Sequence, residues 1–113
     1  MTEPTLDPAT FSELEAAAGA EFARELITTF LEEAPLMLAE LRNTLAAGNA
    51  DAFRRAAHSL KSNSLTFGAL ALGALARALE LKGLEGMGDA APLDALDQEY
   101  ARVAAALAVL RDA

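Results

Sequence analysis

One histidine, His58, occurs in the 113-residue chain, within the run Ala56-Ala57-His58-Ser59-Leu60-Lys61-Ser62-Asn63-Ser64-Leu65. Counted as a helix from Phe53, the residues Phe53, Ala56, Leu60, Ser64 and Phe67 fall at the three-and-four spacing of a buried stripe. At about 100° per residue, His58 stands roughly 140° from Phe53 and faces outward. Arg54, Lys61, Ser62 and Leu65 share that outward half, with Arg54 and Ser62 one turn from His58 on either side. An exposed imidazole offers an unprotonated nitrogen in part of its population near neutral pH, and that nitrogen can attack phosphorus. A phosphoryl group brings about −1.5 to −2 charges with it, so nearby cations help to hold it. Lys61, three residues on, is the best placed of them, a point charge with rotatable donors. Ser59 and Ser62 keep the neighbouring surface low, and a packed helix supplies rigidity.

The pattern His58-x-x-Lys61, followed by the small Ser62, by Ser64 and by Gly68-Ala69, resembles the core of histidine-containing phosphotransfer (HPt) domains of two-component phosphorelays. The likeness runs from Leu6-Asp7-Pro8 to the last helix. The chain departs from the family in one place, with Ser62 where a glycine usually follows the lysine; serine is still small but adds a hydroxyl. The resemblance implies an all-α fold, an antiparallel four-helix bundle with a short additional N-terminal helix capping one end. It implies that His58 is the phosphoacceptor, relaying a phosphoryl group between the aspartates of receiver domains, with Lys61 stabilising the phosphate. The partners would be receiver domains of response regulators or hybrid histidine kinases. Mg²⁺ would come with the receiver, and this chain would carry no cofactor, no metal and no autokinase activity.

The elements that must position these residues follow from the chain's punctuation. Residues 1–6 read as a disordered lead and 7–113 as one domain. Asp7 as N-cap and Pro8 at the first helical position begin a short helix carrying Phe11 and Leu14 and ending by Gly19. A long helix from about Ala20 carries Phe22, Leu26, Phe30, Ala34, Leu38, Leu41 and Leu45 on one stripe. Pro35 removes a backbone donor in its middle, but the stripe stays in phase, so the spacing predicts one kinked helix. Gly48 ends it and Asn49 caps the next helix, from about Ala50 to Thr66; so short a connection makes the two antiparallel neighbours. Gly68 marks a break or a close helix contact. A further helix from about Ala69 turns Leu72, Leu75, Ala76 and Leu79 inward and leaves Leu70, Arg77 and Leu81 on another face. The run Gly83-Leu84-Glu85-Gly86-Met87-Gly88-Asp89 reads as a loop, with Asp89 capping a last helix that carries Leu93, Leu96, Tyr100, Val103, Leu107 and Leu110.

Composition narrows the function classes. The net charge of −8 argues against nonspecific nucleic-acid binding, yet no Asp or Glu occurs between Ala52 and Leu79, where Arg54, Arg55, Lys61 and Arg77 all fall. A cationic patch on an acidic chain suits one anionic partner or group, and equally describes a solvated face. Arg54 and Arg55 either steer an acidic partner or balance carboxylates on neighbouring helices; with Ser62 and Leu65 they form the candidate docking set. Leu65 either anchors a partner or tucks toward the end helix. Ser64 and Gly68 belong to the geometry of the motif, Ser64 with its hydroxyl bonded to a carbonyl one turn back. One histidine and no cysteine leave no transition-metal site, and no glycine run continues into the Lys-Ser/Thr of a nucleotide-binding loop. With no apolar run long enough to span a bilayer and no secretory signal, the expectation is a monomeric cytoplasmic protein away from membranes.

Two other readings stay open. The domain could be the substrate of a histidine kinase that phosphorylates it directly, against which the initiator Met1 and the absence of an attached domain weigh. It could also be a non-catalytic helical adaptor, with Leu70 and Leu81 binding a partner helix.

Overall fold

Helices form where the chain's caps and apolar spacing place them. The computed structural model describes residues 5–86 and 90–113, and these fold as α1 (Pro8–Ala18), α2 (Ala20–Ala47), α3 (Ala50–Thr66), α4 (Leu70–Lys82) and α5 (Ala91–Asp112), with a 3₁₀ turn at Leu84–Gly86. Among the described residues there is no strand, and the protein is all-α. Helix α2 packs on α3, α3 on α4, α4 on α5 and α5 back on α2, while α1 lies against α2 and α3. The core between them is built from Ile27, Leu41, Phe53, Leu60, Leu72, Leu93, Leu96, Val103 and Leu107, all fully buried. Phe30 sits at a junction, its ring 5.3 Å from that of Phe67 and 6.1 Å from that of Tyr100.

Pro35 leaves α2 continuous. Gly48 closes it with φ +69°, donating its N–H to the carbonyls of Leu45 and Thr44. The Asn49 side chain then accepts the N–H of Ala52, which starts α3 one residue later. The next turn has three residues, Phe67, Gly68 and Ala69. Gly68, at φ +74°, accepts the N–H of Asp7 on its carbonyl at 2.8 Å, so the entry to α1 is fastened to the α3–α4 corner. A Cβ at Gly68 would stand 2.9 Å from Thr10 Cβ and 3.0 Å from the Asp7 carbonyl oxygen. Glycine is required there by both torsion and space. Asp7 precedes α1 as expected, but its carboxylate accepts the Thr10 hydroxyl at 2.6 Å and caps no backbone donor.

The α2 stripe needs one correction. Phe30, Ala34 and Leu41 are buried, but Phe22 is 51% exposed, and Ala23 and Ile27 take the inner positions. Steps of four overshoot a 3.6-residue turn by about 40° each, which carries Phe22 roughly 80° round from Phe30. On α5, Glu99 is buried beside the stripe and paired with Arg102 one turn on. Asp89, expected to cap α5, lies outside the described residues; Ala90 holds the N-cap position. Arg42 of α2 reaches Asp94 and Asp97, bracing α2 against α5.

Candidate functional site

On α3 the buried stripe comprises Phe53, Ala56, Leu60, Ser64 and, at its C-cap, Phe67, with Ala57 also enclosed. Burial of that face turns His58 outward, its side chain 59% exposed. The Ser64 hydroxyl donates to the Leu60 carbonyl at 2.6 Å, which lets a polar side chain sit in the core without an unmet donor.

The imidazole is not surrounded by cations alone. Glu80 of α4 reaches it, with Oε2 2.7 Å from His58 Nδ1 and Oε1 2.8 Å from Lys61 Nζ. One carboxylate thus clasps both residues of the His-x-x-Lys pair. The Lys61 hydrogen bond, and then that of His58, hold the Glu80 carboxyl below its ordinary value of 4.5. Glu80 is therefore ionised at neutral pH and can only accept, so Nδ1 must carry a proton. In the neutral ring the free lone pair is then on Nε2. The tautomer is set by a second helix.

The sequence window free of acids ended one residue short of Glu80. Its partnership follows from the fold: α3 and α4 meet at a tight corner, and His58 and Glu80 lie eleven residues on either side of Ala69. The same reflection pairs Leu65 with Gly73. There the leucine fills the place a side chain would occupy, since a Cβ at Gly73 would be 2.7 Å from Leu65 Cδ2. Leu65 is exposed on its outer side and rests on α4.

The four docking candidates do not form one patch. The Arg54 guanidinium lies against Gly83 at the end of α4, where a Cβ would be 3.1 Å from its Nε and Nη2. Arg55 points the other way and, with Ser59 and Ala52, lines a groove of about 520 Å³ against Glu33, Leu36, Met37 and Glu40 of α2. Ser62 is exposed, and its carbonyl accepts the Thr66 hydroxyl at 3.1 Å. The α2 wall of the groove carries no sequence motif; in the structure its Leu36 is 69% exposed.

An all-helical protein that presents a tautomer-fixed histidine beside a lysine has the equipment of a phosphoryl acceptor. Comparison with known proteins gives the same answer. The family model described as the Hpt domain matches residues 25–106. No curated protein matches in sequence. Among solved structures, the fold is similar to the crystal structure of histidine-containing phosphotransfer protein B (HptB) from Pseudomonas aeruginosa PAO1. The TM-score is 0.89 at 27% identity, over 98% of this chain and 97% of that one. The chain belongs to the Hpt domain family, and its function is histidine phosphotransfer in a phosphorelay.

Proposed function

We propose that His58 is the phosphoacceptor and that it relays the group between aspartates of receiver domains. The observation that carries this reading is the Glu80 clasp on Nδ1, which leaves Nε2 of an exposed ring as the nucleophile. Nε2 attacks the phosphorus of an aspartyl phosphate; the N–P bond forms as the P–O bond to the aspartate breaks, and the aspartate leaves as a carboxylate. The ring gains positive charge while Nδ1 keeps its proton, and Glu80 faces that charge. The retained proton also makes the imidazole a good leaving group when the phosphoryl moves on. Lys61, held by Glu80 beside the ring, supplies the cation toward the phosphoryl oxygens.

The setting proposed for this chemistry is an antiparallel four-helix bundle with α1 across one end, monomeric and cytoplasmic, without a cofactor of its own. Among the described residues no helix is long and apolar enough to cross a membrane. The receiver, from a response regulator or a hybrid histidine kinase, brings the Mg²⁺. Incubation with a phosphorylated receiver domain and Mg²⁺ tests the assignment. The wild-type chain should acquire an acid-labile, base-stable phosphate and His58→Gln should acquire none with its melting curve unchanged. Labelling of His58→Gln would remove His58 from the role.

A further inference from the structure

The hydroxyls of α3 are not used alike. Ser64 and Thr66 each donate to the carbonyl four residues back, that of Leu60 at 2.6 Å and that of Ser62 at 3.1 Å. Thr28 and Thr44 do the same on α2. Ser62 is exposed, and its hydroxyl has no hydrogen-bond partner among the described residues. It stands one turn after His58, and a helical side chain leans toward the N-terminus of its helix, so Ser62 leans back over the turn that carries the imidazole. The direction of the ring matters as well. At about 100° per residue, Lys61 and Leu65 lie to one side of His58, roughly 60° and 20° round the helix, and both meet α4. Ser62, Arg55 and Ser59 lie to the other side, roughly 40°, 60° and 100° round, and Arg55 and Ser59 face α2. Nδ1 is turned to Glu80 of α4 at 2.7 Å. The two nitrogens of an imidazole point nearly opposite ways, so Nε2 is directed away from α4, toward the half of α3 where Ser62 stands.

We infer that the Ser62 hydroxyl donates a hydrogen bond to the phosphoryl group carried on Nε2, which makes Ser62 a second phosphate-holding residue of the chain beside Lys61. The inference rests on the phosphotransfer reading and adds a residue to its site. Lys61 reaches the group from the α4 side, where Glu80 holds it, and Ser62 reaches it from the opposite flank. A hydroxyl rotates to suit its surroundings, so without phosphate Ser62 is hydrated and leaves the ring undisturbed. The bond exists only when phosphate is present. It therefore stabilises the phosphorylated state alone and draws the exchange with a receiver aspartate toward His58. A hydrogen bond to a charged group is stronger than one between neutral groups, and hydration at an exposed position leaves only part of that gain. A glycine here, the residue that usually follows the lysine in the family, offers no such donor.

The test measures the equilibrium of phosphoryl exchange between this chain and a phosphorylated receiver domain that labels it. Ser62→Ala removes the hydroxyl at an exposed helical position and favours the helix, so the fold is kept. It should shift the exchange about threefold to tenfold toward the receiver, and Ser62→Gly should shift it in the same direction. Ser59→Ala removes another hydroxyl next to His58, one that faces the α2 groove, and should leave the equilibrium at its wild-type position. Phosphoramidate, a small donor that needs no partner protein, loads His58 for a second readout. The ³¹P resonance of the phosphohistidine should titrate at lower pH in wild type than in Ser62→Ala, because a donor favours the more charged phosphoryl group. An unchanged equilibrium in Ser62→Ala would overturn the inference, and so would a ³¹P titration that matches wild type. A shift confined to Ser62→Gly would also overturn it, since the size of the side chain and not its hydroxyl would then matter. Failure of the underlying reading looks different: the wild-type chain stays unlabelled by both donors, or His58→Gln still takes the label.

Discussion

At the scale of single residues, the charge on Glu80 matters because a carboxylate and an amide instruct the imidazole differently. An ionised carboxylate accepts only, which keeps the proton on Nδ1, whereas glutamine can rotate and donate, placing it on Nε2. Glu80→Gln should therefore slow phosphoryl uptake by roughly tenfold to a hundredfold. Ring-nitrogen NMR should show mixed tautomers for His58 in that variant, and an unchanged tautomer with unchanged rate would refute the role. Lys61→Ala should shorten the lifetime of the phosphorylated state severalfold, because the remaining partner of Glu80 is the ring itself. The clasp also carries a pH signature. The folded-state pKa of Glu80 lies below its ordinary value, so the stability it contributes is complete above 4.5 and is lost as pH falls through the lowered value. The stability difference between wild type and Glu80→Gln should be flat above pH 5 as far as this carboxyl is concerned, and shrink in more acidic solution; urea titrations across that range measure it.

Between helices, corners fix what the helices can present. Gly68 turns α3 into α4 at positive φ and receives the start of α1, so its substitution acts on two elements. Gly68→Ala should cost about 2 kcal/mol, roughly the left-handed penalty for a side chain plus displacement of Thr10 and Asp7. Chemical denaturation measures this loss, and phosphoramidate labelling of His58 should survive because α3 itself is intact. Much of the helical layout was legible in sequence. Asp7-Pro8, Gly48-Asn49 and Gly68 punctuate the chain where helices begin and end, although Asp7 marks its helix start without capping a backbone donor. His58 was legible because its outward direction follows from the buried phase of Phe53, Ala56 and Leu60. Glu80 was not, because a clasp between helices depends on their alignment about Ala69, and helical periodicity within either one is silent on it. The groove was missed for the same reason: Leu36 and Arg55 are ordinary surface residues until α2 and α3 are laid side by side. Phe22 misled because a phenylalanine near the stripe's phase still fell outside it.

Across the whole molecule, the core and the exposed face that carries His58 are separate, and the sequence keeps them so. Phe53 is fully buried one turn and a half from an imidazole that is open to solvent. Phe53→Ala should destabilise the fold by about 3–5 kcal/mol, seen as a lowered urea midpoint. At low temperature, where the variant remains folded, its His58 should still accept phosphate. In a chain of net charge −8, Arg55 on the α2 side of α3 and Lys61 on its α4 side place cations to either side of His58. The most direct measurement of the central claim is the site of the N–P bond itself. Phosphorylated protein labelled with ¹⁵N should show phosphorus coupled to Nε2 of His58, with the Nδ1 proton retained against Glu80. Phosphorus coupled to Nδ1, or a phosphorylated chain in which the His58 ring is unmodified, would contradict the account.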